Sequence, residues 1–135
     1  MIKNLMIPSD GSKYSQKAID FGIELASKIG ANVIAVYIID ENTTYSYDSL
    51  EDEGNKILHN ITKKANEYGV EVAEHLITGD PLRDMKIIAI KTNADGIIVN
   101  IHGKNDAEKG IFGSVADRII KTFEIPVIII KNEIQ

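Results

Sequence analysis

The chain has 135 residues, of which 44% are hydrophobic and 26% are charged, as expected of one soluble domain built around one core. Its net charge of −5 argues against broad binding to a nucleic-acid backbone, which requires a basic face. The chain has no cysteine, which excludes disulfides, thiolate catalysis and thiolate-rich zinc sites. No run approaches the ~18 apolar residues of a membrane-spanning helix, and the first residues lack the pattern of a secretory signal. We therefore expect a single domain over residues 1–135, located in the cytoplasm.

Strand and helix patterns alternate along the whole chain. In chain order, the predicted elements are a strand at 2–8, a helix at 12–30, a strand at 32–40, a helix at 50–68, a strand at 70–78, a helix at 79–93, a strand at 94–101, a helix at 114–123 and a strand at 125–131. Such alternation predicts an α/β fold with a parallel sheet and helices on both of its faces.

Several of these elements carry more specific signals. The run 32–40 is almost continuously apolar, as in a strand covered on both faces, whereas the mixed pattern of 70–78 predicts an edge strand. Asp80 caps the third helix, and Pro81 occupies its first position. The last strand is so apolar that we expect either burial on both faces or pairing with another chain. On the last helix, apolar spacing predicts an inward face of Val115, Ala116, Ile119, Ile120 and Phe123.

Ligands of open parallel sheets bind beyond the carboxyl ends of the strands, and here three loops follow strands at that edge. They are "PSDGS" after the first strand, "IDENTT" after the second and residues 100–114 after the fourth. The sequence contains no Walker motif, no G-x-G-x-x-G in the first turn, no G-x-S-x-G and no H-E-x-x-H. His59, His75 and His102 lack metal-ligand spacing. The familiar phosphate, hydrolase and zinc signatures are therefore excluded.

Asp10 and Ser114 each allow a structural and a functional interpretation. Asp10 is either a turn or capping residue or a carboxylate that accepts hydrogen bonds from a base amine or a sugar hydroxyl. Ser114 begins a helix, with Asp117 three residues on as in a capping box. A helix N-terminus also offers free N–H groups to an anion, and Gly113 would allow a phosphate to approach the backbone.

The remaining candidates are weaker. Lys104 and Lys109 are either solvated or neutralise a polyphosphate, and His102 has no identifiable catalytic partner. Tyr37 and Ile38 are expected to pack in the core, although the backbone there could meet a planar base.

Together these residues resemble the universal stress protein family over essentially the whole chain. The resemblance lies in "NLMIPSDGS", the first helix, "NVIAVYIID", "TGDP" and the final "PVIIIK". Nucleotide-binding members carry G-x-x-G, nine residues and then G-[ST]. Here Gly103, nine residues and Gly113-Ser114 match the later part of that motif, whereas Asn100 stands at its first glycine.

The resemblance implies a Rossmann-like fold of the adenine nucleotide alpha hydrolase type, with five parallel strands in the order 3-2-1-4-5 and four helices. It also implies a homodimer formed through the last strand, Val127–Ile130. The cofactor would be ATP, or AMP or ADP, with Mg²⁺ or Mn²⁺ as the divalent ion that often accompanies it. The implied nucleotide-binding residues are Pro8, Ser9, Asp10, Ile38, Asn100, Gly103, Gly113, Ser114 and Val115. In that set Asp10 and the Ile38 backbone would hold adenosine, and the later residues the ribose and phosphates.

The functional hypotheses differ in whether Asn100 allows a nucleotide to bind. If the position requires a positive φ, asparagine is the best-tolerated substitute for glycine; if the ligand passes through the space of the side chain, binding is lost. The leading hypothesis is an ATP-binding dimeric regulatory protein of the stress response. The alternative is a nucleotide-independent protein that recruits a partner through its dimer or through the acidic segment 48–53. An enzyme ranks last, because no activated nucleophile and no arginine in the phosphate loop are present.

Overall fold

The computed structural model describes residues 1–101 and 114–131, and in these ranges strands and helices alternate as predicted. The elements are β1 Asn4–Ser9, α1 Lys13–Ile29, β2 Asn32–Asp40, α2 Tyr47–Glu67, β3 Val72–Gly79, α3 Pro81–Lys91, β4 Gly96–Asn100, α4 Ser114–Thr122 and β5 Val127–Ile130. Within these described ranges, no helix is both long enough and apolar enough to cross a bilayer.

The five strands form one parallel sheet in the order β3-β2-β1-β4-β5. This order and the α/β class confirm the expectation drawn from the family resemblance. The strand at 70–78 was predicted to be an edge, and β3 lies at one end of the sheet. The strand order reverses between β1 and β4, which is where open sheets of this kind bind ligands.

Side chains alternate between the two faces of the sheet and form two separate cores. The first core joins one face to α1 and α2, and we call this the closed face. The second core joins the other face to α3 and α4, and we call this the open face. Ile7 and Tyr37 belong to the closed face, whereas Met6, Val36 and Val99 belong to the open face.

Helix ends follow the residues that favour them. Ser12 caps α1 by accepting a hydrogen bond from the Ser15 N–H, and Gly30 ends the helix with φ of 72°, a conformation that costs glycine least. Asp80 caps α3 and Pro81 starts it, as predicted.

Two local predictions were wrong. The helix α2 begins at Tyr47 rather than near Leu50, because Ser46 serves as its cap and accepts from the Ser49 N–H at 3.2 Å. Ile120 is 41% exposed, since the short helix α4 buries only the stripe that contains Ala116 and Ile119. In the single chain, all four residues of β5 are only partly buried, so full burial within the monomer, one of the two alternatives for this strand, is not observed.

Candidate nucleotide site at the carboxyl edge of the sheet

A cavity of about 200 Å³ lies on the open face, at the carboxyl ends of the strands. Its lining combines apolar side chains of the second core with polar residues from the loops that follow the strands. The lining residues are Pro8, Ser9, Asp10, Ile38, Asp40, Asp80, Pro81, Leu82, Met85, Val99, Asn100, Ser114, Val115, Ala116 and Ile119. The cavity therefore lies where the order of the strands reverses, as expected for a ligand site in this fold.

The loop after β1 is held in shape by its own side chains. One carboxylate oxygen of Asp10, Oδ1, accepts a hydrogen bond from the Ser12 N–H at 2.9 Å, which forms a turn of the kind that Asp favours. Gly11 has φ of 78°, a value that suits glycine. The structural interpretation of Asp10 is thus correct, and it is compatible with the functional one because Asp10 also lines the cavity.

A buried chain of hydroxyl groups supports this loop from the closed face. The Ser15 hydroxyl donates to the Ser12 carbonyl at 2.8 Å, and the Ser9 and Ser15 hydroxyl oxygens are 3.1 Å apart. Since Ser15 has used its proton, Ser9 must donate to Ser15. Ser9 in turn accepts from the Gly11 N–H at 3.3 Å. Ser9 and Ser15 are both buried, so the loop position depends on these bonds.

Two further aspartates line the cavity, and each is oriented by backbone N–H groups. Oδ1 of Asp40 accepts from the Asn42 N–H at 2.9 Å. Oδ1 of Asp80 accepts from the N–H groups of Leu82 at 2.9 Å and Arg83 at 3.4 Å. We call Asp10, Asp40 and Asp80 together the acidic wall. Each of its three members has one carboxylate oxygen held by the local backbone.

An ion-pair cluster beside the acidic wall connects the end of β2 to the start of α3. Arg83 contacts Glu41 at 2.7 Å and Asp84 at 2.7 Å, and Asp84 also accepts from the Asp80 N–H at 2.9 Å. Together, first the Arg83 guanidinium and then this backbone N–H lower the pKa of the Asp84 carboxyl to about 2. The positive charge of Arg83 is therefore shared by two carboxylates outside the cavity lining.

Ile38 and Tyr37 have separate roles, although they are adjacent in β2. Ile38 lines the cavity on the open face. Tyr37 is buried on the closed face, where its hydroxyl donates to Glu53 at 2.9 Å. Burial, and then the bond to Glu53, raise the pKa of Tyr37 well above its ordinary value. Tyr37 thus packs in the core, as expected, and ties α2 to the sheet.

Asn100 is the last residue of β4, in register with Ile130 of β5. Its φ is not positive. Within the described ranges, Asn93 is the one residue other than glycine that has a positive φ. The backbone therefore does not require glycine at this position. Asn100 also lines the cavity.

Most of the residues predicted for the nucleotide site meet at this cavity. Its lining includes Pro8, Ser9, Asp10, Ile38, Asn100, Ser114 and Val115. Gly103 and Gly113, together with His102, Lys104 and Lys109, lie outside the described residues.

Sequence reasoning missed Asp40 and the contribution of Asp80 to the cavity lining. Asp40 belongs to a loop that the carboxyl-edge rule had selected, so the rule applied residue by residue could have found it. Asp80 was assigned only as a cap. In the part of the chain that the structure describes, no group of three or more His, Cys, Asp or Glu residues is arranged to hold a metal ion.

An open parallel sheet with its cavity at the reversal of strand order defines the class of Rossmann-like α/β proteins that bind ligands at this edge. Within that class, the chain belongs to the universal stress protein family, since the model of that family matches residues 1–131.

Similar proteins agree in sequence and in fold. Universal stress protein MJ0531 of Methanocaldococcus jannaschii is 31% identical, over 98% of this chain and 84% of the relative. The solved structure of MJ0577, from the same organism, has a TM-score of 0.88 at 26% identity and covers 98% of both chains. A universal stress protein of Archaeoglobus fulgidus, solved in complex with dAMP, shares the fold with a TM-score of 0.73 at 23% identity, over 96% of this chain and 97% of the other.

Proposed function

We propose that the chain binds an adenine nucleotide in this cavity and acts as a dimeric regulatory protein of the stress response. One observation carries the proposal. The loop after β1, the end of β2 and the start of α4, to which the sequence assigned the adenosine and phosphate ends, line a single cavity. A relative that shares the fold holds dAMP, which supports a ligand of this chemical class.

The cavity suits the organic half of a nucleotide. Its floor and sides include Ile38, Met85 and Val99, apolar groups against which a planar base would pack. The acidic wall offers acceptors to an exocyclic amine and to ribose hydroxyls. At about 200 Å³ the cavity is smaller than the ~300–1,000 Å³ usual for ligand pockets. It therefore matches a nucleoside better than a complete triphosphate, whose phosphates would extend past it.

The phosphates are assigned to the start of α4. Ser114 is the first residue of that helix and Val115 follows it, and both line the cavity. The N–H groups of a first helical turn, together with the helix dipole, favour an anion. Gly103 and Gly113, which lie outside the described residues, belong to the same predicted motif. We propose ATP, with AMP or ADP as the other adenine nucleotides, and Mg²⁺ or Mn²⁺ as an ion carried by the phosphates.

The dimer is proposed to form through β5. This strand lies at the end of the sheet opposite β3, and Val127–Ile130 are all apolar yet only partly buried in the single chain. An apolar edge strand of this kind favours pairing with a second copy. A cytoplasmic location and a regulatory output also remain predictions.

A second candidate function is recruitment of a partner protein without nucleotide. Its motivation is Asn100, which replaces a glycine of the family motif. The acidic segment 48–53 at the start of α2 would then be one contact surface. The geometry of β4 favours the first function, because Asn100 has an ordinary backbone conformation, so the position does not require glycine.

Isothermal titration with MgATP and with AMP tests the proposal. We expect binding of both by the wild-type protein, and an affinity for Asn100→Gly within about threefold of wild type, which is below 1 kcal/mol. Absence of binding at millimolar nucleotide would refute the proposal. Binding that appears only in Asn100→Gly would favour the recruitment function and identify the side chain as the obstacle.

A further inference from the structure

In the part of the chain that the structure describes, the exposed leucine and isoleucine side chains all lie on α3 and α4. They are Leu82, Ile87, Ile90 and Ile120, and Ile90 is the most exposed of them at 64%. The outer side of a helix in a soluble protein is normally polar. Exposed apolar side chains that cluster among polar residues mark an interaction surface, so the outer side of α3 and α4 has the features of one.

Two adjoining pockets form a groove between α3 and α4, which we call the helical groove. Their volumes are about 160 Å³ and about 120 Å³, and Lys86 and Phe123 line both of them. On the α3 side, Leu82, Lys86 and Ile90 line the groove at intervals of four residues, which places them on one side of the helix. Phe123 and Ile125 continue the apolar lining on the α4 side.

The charge of the helical groove is opposite to that of the chain, whose net charge is −5. All three cations of the groove, Arg83, Lys86 and Arg118, line the larger pocket, and one carboxylate, Glu124, lines the smaller pocket. Arg83 belongs to the ion-pair cluster beside the acidic wall. Among the residues that the structure describes, neither Lys86 nor Arg118 forms an ion pair. The groove therefore offers two uncompensated cations beside an apolar lining.

We propose that the helical groove binds a short amphipathic helix of a partner protein, with carboxylates beside its apolar stripe. An apolar groove accepts such a helix through side chains at positions i, i+3 or i+4, and i+7. The helix α3 has 11 residues, or about 16 Å at 1.5 Å per residue, which is long enough for these contacts. The carboxylates would face Lys86 and Arg118. The groove adjoins the nucleotide cavity, but Lys86, Ile90 and Arg118 do not line that cavity, so the inference does not depend on the proposed function.

The probe is a pair of designed helical peptides of about 14 residues, or four turns. Both carry the same leucine stripe, and the positions beside it are Glu in one peptide and Lys in the other. Fluorescence anisotropy of the labelled peptides is followed as the full chain is added, without nucleotide.

Two charge pairs at about 8 Å in water should make the Glu peptide bind about 15-fold more tightly than the Lys peptide at an ionic strength of about 0.01 M. Screening should reduce this ratio to about fourfold at about 0.15 M. Non-specific attraction would give the opposite order, because the chain as a whole is acidic. No binding of the Glu peptide at millimolar protein, or equal affinities of the two peptides at low ionic strength, would overturn the inference.

Charge variants locate the binding in the helical groove. The double variant Lys86→Glu/Arg118→Glu should reverse the preference, to about 15-fold in favour of the Lys peptide at low ionic strength. The matched control is Lys56→Glu/Lys63→Glu, which makes the same charge change at two exposed positions of α2 and should leave the Glu peptide preferred. An unchanged preference in the groove variant, or an equal reversal in the control, would contradict the role of these cations.

An apolar variant separates the groove from the other exposed surfaces and tests a different occupant. Ile90→Asn should weaken binding of the Glu peptide about tenfold, whereas Phe21→Asn, at an exposed apolar position of α1, should not change it. Equal effects of the two variants would show that the peptide does not bind in the groove. Sedimentation without peptide should give the same oligomeric state for wild type and Ile90→Asn. Self-association that Ile90→Asn abolishes would show that a second copy of the chain fills the groove, and would overturn the assignment to a partner helix.

Discussion

The two faces of the sheet are packed differently. On the closed face, α1 and α2 approach the strands so closely that two helical positions have no room for a Cβ atom. A Cβ on Gly54 would lie 2.6 Å from Leu76 Cδ1 and 2.7 Å from Tyr37 Cδ1, and a Cβ on Gly22 would lie 2.6 Å from Ile7 Cδ1. On the open face, the second core stops short of the carboxyl edge, and the cavity occupies the remaining space.

The difference shows how one sheet can serve stability and binding together. The closed face fixes the strands and, through Ser9 and Ser15, the loop that carries Asp10. The cavity on the open face can therefore remain unfilled while the residues around it stay in place. A ligand site of this kind requires that the residues lining it are held in fixed positions.

Two truncations of similar size measure the difference directly and have the largest expected effects. Leu58 on the closed face is 1% exposed and Met85 on the open face is 5% exposed, where it lines the cavity. Leu58→Ala should lower the free energy of unfolding by about 4 kcal/mol, because it leaves an enclosed void. Met85→Ala should cost only about 2 kcal/mol, since water from the adjoining cavity can fill the space.

Urea unfolding followed by circular dichroism gives both values. The control is Lys56→Ala, an exposed position on α2, for which a change within about 0.5 kcal/mol is expected. Equal losses for Leu58→Ala and Met85→Ala would show that the open face is packed as tightly as the closed face, which would contradict the difference described above.

The hydroxyl chain beneath Asp10 gives a smaller effect with a distinct signature. In Ser15→Ala the buried Ser9 hydroxyl loses its acceptor, so we expect a loss of about 1–2 kcal/mol in unfolding free energy. In the double variant Ser9→Ala/Ser15→Ala no hydroxyl remains unsatisfied, and the loss should be less than the sum of the single losses by about 0.5 kcal/mol or more. Urea unfolding of the four proteins completes the cycle. Strict additivity would mean that the two serines act independently.

Sequence reasoning predicted the helices and strands of the closed face better than it predicted the lining of the cavity. Within residues 1–101 and 114–131, periodicity located each helix and strand to within a few residues, because burial repeats with the 3.6-residue period of a helix or the 2-residue period of a strand. The strand order required the family resemblance, since alternation of elements alone does not say which strands are neighbours. Ile120 was assigned inward because its spacing fits the helix face. Only the packing of α4 on the sheet shows that the stripe of Ala116 and Ile119 is narrower.

Sequence reasoning found family residues that line the cavity, but it did not find the acidic residues beside them. Asp10 and Ser114 could be assigned because they occupy positions of a known motif. Asp40 and Asp80 carry no motif that distinguishes a turn or a cap from a cavity lining, and both are in fact turn or cap residues. Their second role follows because the end of β2 and the loop after β3 lie together at the cavity, which local sequence does not encode.

The ion pair at the border of the acidic wall gives the smallest expected effect, and it depends on pH. The pKa of Asp84 is about 2 in the folded protein, below its value of about 3.9 in an unfolded chain. A carboxyl with a lowered folded pKa contributes stability above the unfolded pKa and loses it as the pH falls through the folded one. Wild type should therefore lose more stability than Asp84→Asn between about pH 4 and pH 2.

Arg83→Gln provides the matched variant for this prediction, because Arg83 is the principal cause of the lowered pKa. Removing it should flatten the same part of the pH profile, and adding Asp84→Asn should then change little. Thermal unfolding at low salt over pH 2–5 measures the effect, which should shrink on addition of salt because the pair is partly exposed. An unaltered profile in Arg83→Gln would mean that the backbone N–H of Asp80 alone holds the carboxylate. The Asp84 carboxylate at the border of the acidic wall would then depend on the local turn and not on its ion pair with Arg83.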